Sequence, residues 1–219
     1  MKLASLAGVF LGTWLCVALV PAFAAPSLAG KTFVVDPGHG TRFPDGSPLN
    51  VGAVGPDGIE EAKVTLVVAE RLARLLRDAG ARAVLTRSFA HPYRVATDRR
   101  VDNRARAALA NALDATAFLS LHADASLDRG KGGTSVFWLR ANSFALASNV
   151  RHALAPLGLG ESEFRVRDLA VTNEARVPAV LVELGFVSNP TQERRLNDPA
   201  FQGRLARALF DAVTRTFAS

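Results

Sequence analysis

Cysteine is almost missing from this chain: of 219 residues, only Cys16 carries a thiol. It falls within an N-terminal stretch that reads as a secretory leader over residues 1–24. Lys2 is the short positive region, residues 3–20 are almost wholly apolar, and Ala22-Phe23-Ala24 offers small residues at the positions a signal peptidase reads. Cleavage is expected before Ala25. A retained membrane anchor is the rival reading, because the apolar run is nearly long enough to span. Pro21 and the Ala-x-Ala pattern favour cleavage, and bulky Leu15 directly before Cys16 disfavours a lipid anchor. With the leader gone, internal disulfides and thiolate ligands are both excluded. Any metal must then be held by His, Asp or Glu. Histidine is scarce as well, with only four in the chain.

Internal repeats, low-complexity stretches and an appended binding module are also missing. Beyond the leader lie about 195 residues, the size of one domain. Residues 25–30 read as a linker and 31–219 as the folded domain. Lys and Arg number 26 against 20 Asp and Glu, a formal charge of +6, of which Lys2 leaves with the leader. A basic exported domain is drawn to anionic cell-wall polymers or acidic lipid, and no nucleic-acid partner is expected. Arg-rich helix faces that are simply solvated are the plainer account.

Along the chain, strand patterns alternate with helix patterns. Residues 31–36, 82–86, 116–122, 133–139 and 178–183 read as strands, and 164–171 as a weak or irregular one. Residues 60–78 carry Val64, Val67, Val68, Leu72, Leu75 and Leu76 at helical spacing, with Gly80 as the C-terminal stop. Residues 99–113, 142–154, 190–196 and 198–217 read as further helices, the second of these capped by Asn142 or Ser143. Residues 41–58 and 89–98 read as loops. This alternation predicts an α/β domain, with a mostly parallel central sheet of about six strands and helices on both faces.

The chemistry gathers where strands stop. Phe33-Val34-Val35 runs into Asp36-Pro37-Gly38-His39-Gly40; 118–121 runs into His122; 179–182 runs into Glu183. Ligands of open α/β sheets bind at that edge. Glu60 and Glu61 open the helix that comes after the His39 loop, so a carboxylate from either can join the two imidazoles. Two imidazoles and a carboxylate, with a fourth position open, suit a catalytic zinc ion. Glu183 then suits a general base that takes a proton from zinc-activated water. Asp36 reads either as a hydrogen-bond partner of a ligand imidazole or as a strand-end cap. His91 and His152 read as surface residues, Asp124 as a rim residue, and Arg87 and Arg106 as structural ion-pair partners.

These stretches carry a resemblance. Residues 34–40, Glu61 with Leu66, residues 118–124 and the run 178–189 resemble the zinc-dependent N-acetylmuramoyl-L-alanine amidases, bacterial cell-wall hydrolases. The likeness extends from about residue 31 to 217. It implies zinc on His39, Glu61 and His122, with Glu183 as the acid/base. It favours Glu61 over Glu60, since the family's ligand Glu stands three residues after a Gly and five before a Leu. The implied partner is peptidoglycan or muropeptides, cut at the amide between N-acetylmuramic acid and L-alanine. Thr41 stands where a second Gly is frequent, the loop over 41–51 is longer than usual, and Ala62 replaces a frequent Lys. These departures touch the cleft mouth. Residues 138–154 leave little room for an inhibitory helix, so activity without an activator protein is expected. The protein is also expected to be a monomer, periplasmic or extracellular at the wall. A wall-binding protein without chemistry and a zinc carboxypeptidase are the competing readings.

Overall fold

The apolar run after Lys31 becomes a fully interior strand, and the fold is built outward from it. The computed structural model describes residues 27–218; the expected leader lies outside the described residues. In chain order the strands are β1 (Thr32–Pro37), β2 (Thr41–Arg42), β3 (Pro48–Asn50), β4 (Arg82–Leu85), β5 (Arg94–Val95), β6 (Ala117–Asp124), β7 (Thr134–Trp138), β8 (Glu161–Val166) and β9 (Ala179–Phe186). The helices are α1 (Glu61–Asp78), α2 (Arg99–Ala112), α3 (Phe144–Leu154), α4 (Ala170–Glu174), α5 (Pro190–Asn197) and α6 (Pro199–Phe217).

Six strands form one sheet in the order β4-β1-β6-β9-β7-β8. Every neighbouring pair is parallel except β7 with β9. Side chains alternate across the sheet, and each face meets its own helices. Phe33 and Val35 of β1 join Leu119, Leu121, Val180 and Val182 in a core closed by α1, α3 and α6. Val34, Phe118 and Leu181 point the other way, into a smaller core closed by α2 and α4. Helix α1 enters the larger core through Val64, Val68, Leu72 and Leu76, spaced four residues apart. Removing one such leucine side chain costs roughly 2–5 kcal/mol. The mostly parallel six-stranded sheet with helices on both faces is therefore as expected.

The details differ in several places. Residues 41–58 are not all loop: β2 pairs with β3 and β5 in a second, three-stranded sheet, and Val54 bridges Glu60. Strands of two or three residues carry no readable alternation. The region 164–171, expected as irregular or a weak strand, is the end of β8, an irregular stretch and the start of the short helix α4. Helix α3 has no side-chain cap; a 3-10 turn over Ala141–Ser143 leads into it, and Ser143 Oγ instead accepts the Ala179 N–H at 2.9 Å. The expected linker is anchored at one point: Leu28 is fully buried with its N–H on Ala79 O at 2.9 Å, while Ser27, Ala29 and Gly30 are exposed. Among the described residues, no helix is long and apolar enough to cross a membrane.

Candidate metal centre

Strand order places the chemistry. β1, β6 and β9 run parallel and adjacent, so they end at the same sheet edge. His122 and Glu183 stand side by side in register there. After β1 the Gly38 N–H bonds Leu121 O at 2.8 Å, and His39 comes next in the left-handed region at φ 61°. A side chain seldom adopts that conformation unless its surroundings impose it. Two buried arginines do so here. Arg106 donates to Pro37 O at 2.9 Å and His39 O at 2.7 Å. Arg87 donates to Pro37 O and Gly38 O, and also to Ala62 O at 2.8 Å, which ties the His39 turn to helix α1.

Glu61 is the first residue of α1, where the helix dipole favours a carboxylate. Its Oε2 accepts the Ala53 N–H at 2.9 Å and its Oε1 the Ala123 N–H at 3.0 Å. So fixed, Oε1 lies 2.9 Å from His39 Nε2 and 3.1 Å from His122 Nδ1. The two ring nitrogens are 3.1 Å apart. Three donors around a tetrahedral zinc with bonds of about 2.0–2.1 Å sit roughly 3.3 Å from one another. The triangle is therefore slightly tighter than a zinc ion needs, and its N and O donors match zinc's preference. Glycine makes room for it. A Cβ on Gly38 would stand 2.5 Å from the His122 ring, and one on Gly52 2.6 Å from Glu61 Oε2.

The charge balance of the triad points to a cation. Burial opposes ionisation of Glu61, but hydrogen bonds from His122 and His39 outweigh it and hold the carboxyl far below its ordinary range. Burial would lower His39, yet the hydrogen bond and charge of Glu61 raise it above its ordinary value. The same geometry that retains a proton between these groups can exchange it for a metal.

Glu183 differs in kind. Its Oε2 is buried with no hydrogen-bond partner among the described residues. Burial, then the Glu61 and Asp124 carboxylates, push its pKa well above the ordinary range, against a smaller opposing pull from Arg167. Ser135 stands opposite it in the β7–β9 register, and its Oγ is likewise buried and unpartnered. Neither polar atom of this cross-strand pair is satisfied by the protein, so each is open to bond a ligand or solvent molecule.

His39, Glu61, His122 and Glu183 are thus brought to one sheet edge. Glu60 is instead the residue preceding α1, with Lys63 Nζ at 3.5 Å. His91 and His152 are exposed, as expected for surface residues. Asp124 ends β6, and its Oδ1 accepts the Ala125 N–H. Asp36 takes neither of its expected roles. It is fully buried and accepts from Thr86, Ser120 and Arg106, not from an imidazole. Arg106 pairs with Asp36 and Asp102, as expected, whereas the bonds of Arg87 go to backbone carbonyls and Thr65. The imidazole's partner is Asn50, whose Oδ1 lies 2.7 Å from His39 Nδ1 and leaves Nε2 to face the triad. Asn50 sits in a segment that reads as loop, so only its polar amide near the motif could have flagged it. Glu193 also escapes sequence reasoning: buried in α5, it accepts the Asp57 and Ile59 N–H groups and pins the loop that leads into α1.

A mostly parallel α/β sheet with a His–Glu–His triad at its carboxyl edge defines an α/β domain with a candidate metal centre at the edge where such sheets bind ligands. The chain belongs to the N-acetylmuramoyl-L-alanine amidase family, whose family model matches residues 33–215. It is 32% identical over 193 residues to a probable cell wall amidase, LytH, of Staphylococcus epidermidis, covering 88% of this chain. The chain spans 60% of the length of that relative. Among solved structures it resembles the catalytic domain of CwlV, an N-acetylmuramoyl-L-alanine amidase from Bacillus (Paenibacillus) polymyxa var. colistinus. That match has a TM-score of 0.73 at 31% identity over 84% of this chain and 97% of the other. It also resembles the N-acetylmuramoyl-L-alanine amidase AmiC2 of Nostoc punctiforme, with a TM-score of 0.73 at 27% identity over 85% and 97%.

Proposed function

We propose that this chain is an exported zinc hydrolase of peptidoglycan that cleaves the amide between N-acetylmuramic acid and the L-alanine of the stem peptide. The observation that carries this reading is the triad of His39, Glu61 and His122 beside the unpartnered Glu183 carboxyl, in a member of the amidase family. His39 Nε2, Glu61 Oε1 and His122 Nδ1 are the atoms that would hold the ion. Zinc, when bound, would polarise the amide carbonyl and acidify a water molecule. Glu183 takes a proton from the attacking water and gives it to the alanine nitrogen as the C–N bond breaks. Burial and the neighbouring Glu61 and Asp124 carboxylates raise its affinity for a proton, which supports a role in accepting one and passing it on. Asn50 keeps the His39 ring oriented, and the two amide donors on Glu61 keep its carboxylate from swinging away.

Export rests on the leader pattern over residues 1–24. Activity without an activator rests on β7 passing through one short turn into α3, with no helix between them beyond that turn. Purified protein loaded with zinc is expected to release dye from labelled sacculi with no added partner, and to stop when a chelator is added. Release that persists in excess chelator would overturn the zinc assignment; release only with a partner would overturn the activator-free reading.

A further inference from the structure

Beside the triad lies a cavity of about 400 Å³, walled by residues 48–53, His39 and Arg99. Its size is that of a small-ligand site. Its wall is built rather than draped. β3 pairs with β2, β2 pairs with β5, and Thr41 Oγ1 is anchored on Asp102 Oδ2 at 2.7 Å in the interior. Arg42 lies 4.0 Å over the Tyr93 ring and donates to Gly46 O, closing the turn between β2 and β3. The same segment supplies Asn50 to His39, so the cavity wall and the triad are held by one piece of structure.

The chemistry of that cavity is one-sided. None of its lining residues is acidic, and Arg99 is the one that always carries a charge. Arg99 opens α2 just after Asp98, which caps the helix, and its Nε donates to Leu49 O at 3.2 Å. Arg99 is exposed; that bond lays its guanidinium along the rim, and its two Nη groups have no protein hydrogen bond among the described residues. A planar fork of donors held in this way is suited to a carboxylate.

The two halves of the substrate in the reading above differ in charge. The glycan is neutral once the lactyl carboxyl is tied up as an amide, whereas the stem peptide carries carboxylates beyond its L-alanine. We infer that this cavity is the subsite for the stem peptide and that Arg99 binds a carboxylate on the peptide side of the scissile amide. The inference rests on the proposed hydrolytic function for the identity of its ligand. It makes the segment over 41–51, longer than the family pattern, a determinant of which peptides are accepted.

The test compares N-acetylmuramoyl-L-alanyl-D-glutamic acid with its diamide, in which both carboxylates are neutral, on the zinc-loaded full chain. The acid is expected to be favoured in kcat/KM by about ten-fold, the scale of one charge-assisted hydrogen bond. Arg99→Gln should bring that ratio close to one, and Arg99→Lys should retain part of it. A second arm measures calorimetric binding of the products L-alanyl-D-glutamic acid and its diamide, so that the subsite is read independently of turnover. Equal handling of acid and diamide by the wild type overturns the inference, and so does a preference that survives in Arg99→Gln. Arg99-dependent binding of the acid without cleavage of either muropeptide would leave the subsite standing and overturn the hydrolytic reading.

Discussion

At the residue scale, the proposed mechanism divides its labour between side chains that hold the ion and one that moves protons. His39, Glu61 and His122 converge within 2.9–3.1 Å of one another, whereas Glu183 has a buried oxygen with nothing to bond among the described residues. That difference predicts two distinct mutant phenotypes. Glu183→Gln keeps the shape of the carboxyl, so zinc content should stay near one ion per chain while kcat falls by about 10²–10⁴, the usual span for a lost acid/base group. His39→Ala removes a ligand and should lose both metal and activity. Metal analysis of the purified variants, paired with turnover on a muropeptide, checks both. Full activity in Glu183→Gln would remove it from the mechanism. These four residues are legible in the sequence because each stands at a recognisable break in an apolar run or at a helix start. Asn50 and Glu193 are not, because their roles depend on where a loop folds back, and nothing local in the sequence encodes that.

At the scale of elements, the turn after β1 is held from beneath by a buried ionic network. Arg106 spans Asp36 and Asp102 and donates to the His39 and Pro37 carbonyls. Burial alone would raise the Asp36 pKa, but the Arg106 charge and hydrogen bonds from Thr86, Ser120 and Arg106 bring it down to about 2. A carboxyl whose folded pKa lies below its unfolded value binds fewer protons when folded, so stability rises with pH across that interval. The shift from 3.8 to about 2 contributes roughly 2 kcal/mol, present above pH 4 or so and lost as the pH falls toward 2. Asp36→Asn should flatten this part of the acid limb in denaturant titrations between about pH 5 and pH 2. An unchanged acid limb would show that the charge of Asp36 contributes nothing to folding. The network is half legible in the sequence: an ion-pair role is expected for Arg106, but the full burial of Asp36 comes from its place in the central strand. The short strands β2, β3 and β5 are not legible at all, since pairs of residues show no period.

At the scale of the whole molecule, parallel strands bring residues far apart in sequence to one edge, and the sheet's two faces are sealed by separate helix layers. That much is readable from alternating strand and helix patterns, because burial on both faces demands long apolar runs flanked by amphipathic helices. The assembled site should bind metal in competition with protons. His39 holds its proton more firmly than a free imidazole does: burial works against the proton, but the hydrogen bond and charge of Glu61 outweigh it. Zinc uptake should therefore release protons, and apparent zinc affinity should fall as the pH drops through the histidine range. Metal-competition titrations at several pH values measure this directly. An affinity independent of pH would mean that the ion binds elsewhere.

Hydrolysis at the muramoyl–alanine amide is tested most directly by mass spectrometry of the products that the zinc-loaded chain makes from one defined muropeptide, run beside the chelated protein. The expected products are a lactyl carboxylic acid on the muramic acid and a peptide with a free L-alanine amino terminus, with neither formed after chelation. Release of single amino acids from the peptide's other end, or the same products with the metal stripped away, would contradict the proposed chemistry.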